Sequence, residues 1–447
     1  MKRYYLLMFV IFTLVLAACA PASTPEPTPV PTEAPSVETE EVEEPTQEPT
    51  AEEPAEPVEV VFWYPYGEGS WTGDFISQKI ADFNAANPDI VVSGQSFEDY
   101  GGIIEGLQRA AAGENLPGVA SIAYGYDQYI VESGLAVPIG DYLSEASSEY
   151  LDDFFPSLIE VTTFDGNVYG VPLALSVAEV FYHPELFEQA GLDPESPPAT
   201  WAEFLQAAKT ITDETGVFGA TFALDDPWIF EVAVRSNGGS LLSEDGSSVA
   251  LDSEIAVETL ADWAQGVDEG YILYNADFFE TLQTFGGQQV AMFAVSSYGT
   301  LYYKGILPNV LAMPWPAGEG QEIQSPAGGN SLYVFGNNDQ ERMAAVKWVE
   351  YLTNPEANAE WAMNSGYLPT RASSLEMISD FIEGFDNYQV AVSEIDNVVP
   401  PLQFPGENDL QIRQYIMEAI EAALLGASDA EAALADANDK INDLIGQ

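Results

Sequence analysis

Between Val58 and Ala123 the chain alternates short apolar runs with longer amphipathic ones, and that alternation restricts what it can fold into. VEVVFW reads as a buried strand. A Gly-rich loop follows, then a helix from about Trp71 to Ala86, whose apolar residues Phe75, Ile76, Ile80 and Phe83 recur at helical spacing. Asn87-Pro88 stops it. A second strand begins at Ile90, a second helix runs from about Tyr100 to Ala112, and GVASIAYG supplies a third strand. Strand-helix-strand order of this kind predicts a parallel sheet and an α/β fold.

The rest of the chain keeps that grammar. In PATWAEFLQAAKTITDETG, Thr200 with Glu203 three residues on forms a capping box, and Gly216 is the stop. GGQQVAMFAVSSYG and GGNSLYVFG read as later strands. Asn354 caps a helix that has Pro355 at its first position. The chain closes on a helix pair, about Asp409 to Leu425 and Asp429 to Ile445. Trp201, Trp348 and Trp361 fall on helices and are expected in the core. No internal repeat is present. The 390 residues from Val58 to Gln447 predict two or three domains.

The N-terminus is of another kind. Lys2 and Arg3 precede an apolar run, Tyr4 to Ala18, broken only by Thr13. At about 15 residues it is short of the ~20 a spanning helix needs, and it fits an export signal. Leu16-Ala17-Ala18-Cys19 resembles the lipobox of bacterial lipoproteins, which implies acylation of Cys19, the single cysteine of the chain, and cleavage before it. Acyl chains give ~0.8 kcal/mol per buried methylene, so the mature protein is expected to be anchored to the outside of a cell membrane without spanning it. Residues 20–57 hold ten prolines, eleven glutamates, no aromatic residue and no Lys or Arg. They are expected to form a disordered tether, unable to offset ordering entropy by burial.

The charge balance narrows the partners. The chain has 72 acids and 12 bases; without the tether's glutamates and the two leading bases, 61 and 10 remain, a balance of −51. No basic patch is available to neutralise phosphates, so nucleic acid is not expected as a partner. An anionic ligand is disfavoured only at short range, because the field decays within ~10 Å at 0.1 M salt. Catalytic signatures are missing: there is no P-loop, no zincin helix and no complete EF-hand, and no metal or cofactor is expected. The one histidine, His183, has neither a cysteine nor a G-x-S-x-G serine to serve. Paired carboxylates of a glycosidase remain open on abundance alone.

Binding has better candidates. In open α/β sheets ligands bind at the carboxyl edge, where strands hand over to loops. Aromatic and acidic residues gather there: Trp63, Tyr66 and Glu68 after the first strand, Tyr100 at the second helix, Tyr124 and Tyr126 after the third strand, Trp228 in LDDPWIFE, and Ser296, Ser297 and Tyr298 after VAMFAV. Sugar C–H faces pack on rings and sugar hydroxyls donate to carboxylates. Each ring taken singly suits core packing equally well.

GLDPESPPATWAEF (191–204), NPEANAEWAMNSGYLPTRASS (354–374) and PPLQFPGENDLQIRQYIMEAI (400–420) carry a further likeness. In these stretches, and in order over the body from Val58, the sequence resembles the family 1 extracellular solute-binding proteins of ABC importers. That is the group of maltose-binding protein, and the likeness is nearest to its glycerol-3-phosphate-binding member. The resemblance implies an α/β, two-lobed periplasmic-binding-protein-like (type II) fold with discontinuous lobes and a hinged interlobe cleft. Lobe 1 is expected at about 58–170 plus 290–330, and lobe 2 at about 171–289 plus 331–447. Crossings are expected near Val171–Tyr182, Ala276–Gln289 and Ser331–Gly336.

It also implies a monomer that delivers a carbohydrate or polyol to a membrane permease, with no catalysis of its own. Tyr100, Trp228, Gly329, Tyr367 and Arg413 fall on ligand positions, Ser297 more loosely, with Arg413 as the phosphate partner. Tyr124 stands where that member has glutamate, Leu175 near a ligand serine with Ser176 adjacent, and Asp225 near the first of two tryptophans. An aspartate repels phosphate and accepts from sugar hydroxyls, so these departures favour a neutral carbohydrate. Glycerol-3-phosphate or a glycerophosphodiester is the alternative ligand. A surface-anchored glycosidase, or a sensor or adhesion module on a stalk, is the alternative class.

Overall fold

Strand Val58–Tyr64 buries Val60, Phe62, Trp63 and Tyr64, and so must be covered on both faces. It lies in a five-stranded sheet ordered Ile90–Ser96, Val58–Tyr64, Val119–Ala123, Gly328–Val334, Gly170–Ser176. Helix Trp71–Ala86 starts where the Ser70 hydroxyl accepts the Gly73 N–H at 3.1 Å. Its Phe83 meets Trp348 edge-on at 5.3 Å, and Phe62 meets the same indole at 5.7 Å. Each such side chain contributes about 1.5–3 kcal/mol on full burial. The computed structural model describes residues 56–67, 69–113, 115–143, 147–404 and 408–446. Cys19, the tether up to residue 55 and Glu68 lie outside the described residues.

A second five-stranded sheet runs Leu311–Pro314, Ala178–Tyr182, Val290–Ser296, Phe218–Phe222, Ile272–Leu273. Trp263 stacks on Phe222 at 4.3 Å, and Trp201 lies parallel to Trp315 at 6.4 Å. Helix Trp201–Thr215 has the expected capping box and ends on Gly216 at φ 78°. Trp201, Trp348 and Trp361 are all buried. Among the described residues no helix is long and apolar enough to cross a membrane.

Neither sheet is purely parallel. Three neighbouring strands in each run parallel, at 58–64, 90–96 and 119–123 in the first and at 218–222, 272–273 and 290–296 in the second. One strand in each sheet runs against its neighbours, Gly328–Val334 in the first and Ala178–Tyr182 in the second, and each is the strand by which the chain enters from the opposite sheet. Strand Gly170–Ser176 ends in the first sheet and Ala178–Tyr182 begins in the second, so the chain crosses at Val177 as expected. It returns between Ser325–Pro326 and Gly328–Val334, and leaves again after Val398–Val399, which pairs with Ser325–Pro326.

The two later crossings therefore differ from expectation. Nothing crosses at 276–289, because helix Phe278–Gly286 leads into Val290–Ser296, which pairs with Phe218–Phe222 in the second sheet. Strand Val290–Ser296 was expected in lobe 1 and stands in the second sheet. Residues 331–334, expected in lobe 2, lie in the first, beside Val119–Ala123.

Candidate functional site

The carboxyl ends of three strands converge on one cavity of about 270 Å³. Tyr124 follows Val119–Ala123, Asp225 and Asp226 follow Phe218–Phe222, and Ser296 ends Val290–Ser296. Crossing residues Ser176, Ala327, Gly328 and Gly329 complete the wall, so the site draws on both sheets and on the segments that join them. A roomier groove of about 600 Å³ is built from one stretch, residues 187–210, and has no comparable convergence of strand ends.

Six expected residues line the cavity: Tyr100, Tyr124, Asp225, Trp228, Gly329 and Tyr367. Trp228 is held by its indole N–H, which donates to the Pro326 carbonyl at 3.1 Å, and by its backbone N–H, which donates to Asp226 Oδ1 at 2.6 Å. Tyr367 packs between Tyr298 at 4.5 Å and Trp361, parallel at 5.9 Å. Gly329 has φ 102°, and a Cβ there would stand 2.3 Å from the Ala174 carbonyl oxygen. Only glycine lets the crossing strand lie this close. The Tyr124 hydroxyl is buried and closes no hydrogen bond of good geometry. Burial pushes its ionisation above the ordinary tyrosine range.

Asp225 is open to the cavity but crowded by protein. Burial first, then the neighbouring charge of Asp226, then Asp99 push it up to about 6. Two further residues were not picked from sequence: Asp226, which lines the cavity, and Asn330, which organises its tyrosines. Asn330 Nδ2 donates to the hydroxyls of Tyr66 and Tyr100, both at 2.8 Å, while its Oδ1 accepts from Ser121 at 2.7 Å. Phe278 and Tyr298 also line the site. Tyr298 lies parallel to Trp71 at 5.9 Å, joining the end of a second-sheet strand to a first-sheet helix.

The other expected residues stand elsewhere. Trp63 packs against Phe97 at 4.9 Å in the first-sheet core. Tyr66 is a layer behind Tyr100, joined to it through Asn330. Ser297 is buried at the first crossing, where its N–H donates to the Val177 carbonyl at 2.9 Å and its Oγ accepts the Val177 N–H at 3.1 Å; its neighbour Ser296 faces the cavity. Leu175 is core and Ser176 is lining, as the spacing between them requires. His183 is buried with Nε2 2.8 Å from the Phe285 carbonyl.

Arg413 does not line the cavity. Its Nε donates to Asp409 at 2.6 Å, Nη1 to Asp226 at 3.3 Å and Nη2 to the Gly125 carbonyl at 3.1 Å. The guanidinium also lies 4.4 Å over the Tyr126 ring. Burial opposes its charge, but Asp409, Tyr126 and Asp226 outweigh that and raise its pKa. Among the described residues the lining has no Lys, Arg or His.

Comparison with known proteins agrees with this architecture. A family described as bacterial extracellular solute-binding protein matches residues 78–384. The sn-glycerol-3-phosphate-binding periplasmic protein UgpB of Escherichia coli O6:K15:H31 is 26% identical over 409 residues, covering 86% of this chain and 92% of that protein. Among solved structures, an ABC substrate-binding protein from Listeria monocytogenes in complex with cycloalternan superposes with TM-score 0.77 at 22% identity, over 88% of this chain and 100% of the other. UgpB from Mycobacterium tuberculosis in complex with glycerophosphocholine gives 0.76 at 19%, over 87% and 98%. These structural likenesses establish the two-lobed fold.

Proposed function

The chain belongs to the bacterial extracellular solute-binding proteins, and from that membership we propose that it captures a carbohydrate or polyol for an ABC importer while tethered to the membrane through Cys19. The observation that carries the ligand class is the cavity itself. Tyrosine and tryptophan rings and two carboxylates face one space built from both sheets. Rings take the C–H faces of a sugar, and carboxylates take its OH groups. The volume, about 270 Å³, is near the lower end of ordinary ligand pockets, ~300 Å³, and suits a small ligand.

Capture is a hinge motion about the three crossings, as in other two-lobed binding proteins. The Trp71–Tyr298 contact closes one edge of the cleft. The protein acts as a monomer, hands its ligand to a permease and changes no bond in it. Glycerol-3-phosphate, named for the E. coli relative, suits the site less well, because the arginine expected to hold phosphate is occupied by two carboxylates.

The test is a thermal-shift and calorimetric screen of the full-length protein against neutral sugars, polyols and glycerol phosphates. A ligand at 100 times its Kd adds about 2.7 kcal/mol of stability, enough to move Tm by a few degrees. Stabilisation by a sugar, recovered chemically unchanged, is expected. Stabilisation by glycerol phosphates alone overturns the ligand class, and sugar turnover overturns the absence of catalysis. Mass spectrometry of the native protein decides the anchor; a free thiol at Cys19 removes it.

A further inference from the structure

Charge around the cavity does not balance. Asp225 and Asp226 line it, Asp99 is close enough to Asp225 to act on its ionisation, and Asp409 lies beyond Asp226 on the Arg413 guanidinium. Among the described residues Arg413 pairs with two of these four acids, Asp226 and Asp409, and neither Asp225 nor Asp99 has an ion pair. Arg413 is already committed to Asp409, Asp226 and the Gly125 carbonyl, so it cannot turn toward Asp225 without breaking those bonds. Among the described residues Asp225 makes no ion pair, and only its own backbone N–H helps it. Asp225, itself exposed, shares the cavity lining with Tyr100, Trp228, Phe278 and Tyr298, whose rings attract a cation.

We propose that the captured solute is an amino sugar or aminated polyol, whose protonated amine pairs with Asp225 while its ring and hydroxyls meet the aromatic wall and Asp226. The inference rests on reading this cavity as the solute site. A neutral sugar satisfies the hydrogen bonds but leaves the carboxylate without a counter-charge, and an anionic ligand adds to the imbalance. An ammonium supplies the missing charge, and an opposite charge at contact distance favours the ionised carboxylate.

The experiment is calorimetry on the full-length protein at pH 7.0 and 0.15 M salt with matched sets. Glucose is compared with glucosamine and N-acetylglucosamine, and cellobiose with the β-1,4-linked glucosamine disaccharide and its N-acetylated form; glycerol-3-phosphate is the anionic member. The free amine is expected to bind at least about tenfold tighter than its neutral parent and its acetylated form. Asp225→Asn is expected to collapse that ratio. The ratio is also expected to shrink between pH 7 and pH 5. Asp225 takes up a proton near 6 while the amine keeps its own; the charged groups facing Asp225 are Asp226 and Asp99, with Arg413 behind Asp226. Neutral or acetylated members binding as tightly as the amine overturn this inference and leave the carbohydrate reading standing. Tighter binding of glycerol-3-phosphate, or no binding by any saccharide, overturns both.

Discussion

The Arg413 side chain is 13% exposed and stands beside an acid that is buried more deeply: the side chain of Asp409 is 2% exposed. Removing one partner of such a pair strands the other, at a cost of about 3–5 kcal/mol, whereas replacing both with apolar residues is often neutral. Arg413→Ala is therefore expected to lower the stability of the ligand-free protein by about 3 kcal/mol in urea denaturation, and Arg413→Leu with Asp409→Leu to restore most of it. If Arg413 were instead a phosphate-binding residue, the single substitution would leave ligand-free stability near wild type and abolish only binding of the anion. Arg371, in the GYLPTR stretch, is placed on the same principle. It is buried over the Phe154 ring at 3.7 Å, with Nε donating to the Thr353 carbonyl at 2.6 Å and Nη1 to Asp153 at 3.0 Å. That stretch thus places a packed arginine a few residues after a cavity tyrosine, Tyr367.

At the scale of elements, the crossing strand Gly328–Val334 does the most with the fewest residues. It joins the first sheet at Val119–Ala123 and Gly170–Ser176, offers Gly328 and Gly329 to the cavity, and carries Asn330 to the two tyrosines. Gly329→Ala requires a side chain at φ 102° and a Cβ 2.3 Å from the Ala174 carbonyl oxygen. Since backbone must move, a loss of about 2–4 kcal/mol is expected, together with loss of any sugar binding detected by calorimetry. A substitution that loses neither would show that the strand has room to shift. The strands and helices were legible in the sequence wherever local rules decide them: the Thr200 capping box, the Asn87-Pro88 stop, the alternation up to Ala123. Lining aromatics such as Tyr124 and Trp228 could be picked out in the sequence because they sit just beyond strands, whose carboxyl ends open on the cavity. The sheet to which Val290–Ser296 belongs was not legible, because its pairing partners, Phe218–Phe222 and Ala178–Tyr182, are remote in the sequence. For the same reason Arg413 could not be separated from the site: its partner Asp226 is 187 residues away. Asn330 carried no signal beyond its position in GGNSLYVFG.

The molecule as a whole is held across its two sheets by a few buried polar groups beside the first crossing, and one of them titrates. Glu179 lies two residues after Val177 and is fully buried; its Oε1 accepts from Thr300 at 3.0 Å and its Oε2 has no partner. Desolvation dominates, Thr300 offsets part of it and Glu394 adds to it, so the carboxyl is pushed up to about 8. The unfolded chain releases this proton near 4.5. Between those values the folded state keeps a proton that the unfolded state has lost, so stability falls as pH rises, by up to about 1.4 kcal/mol per unit. Asp127 and Asp225, raised to about 6, add the same sign below that pH, while His183, lowered from 6.5 by burial, opposes it there. From pH 6.5 to 8 Glu179, pushed up to about 8, contributes to the falling slope, and the raised Glu231, Glu394 and Asp409 act with the same sign. Salt acts differently: the acids behind the net charge of −60 are almost all ionised by pH 6.5, and 1 M salt shortens the Debye length to about 3 Å. High salt should therefore raise the whole curve without tilting it. Scanning Tm from pH 6.5 to 8 at 0.05 and 1 M NaCl is expected to show a decline at both salts. Glu179→Gln keeps an acceptor for Thr300 and carries no titrating proton, so the decline should flatten in that variant. An unchanged slope in the variant, or a slope that vanishes in salt, would move the pH dependence from this buried carboxyl to the acidic surface.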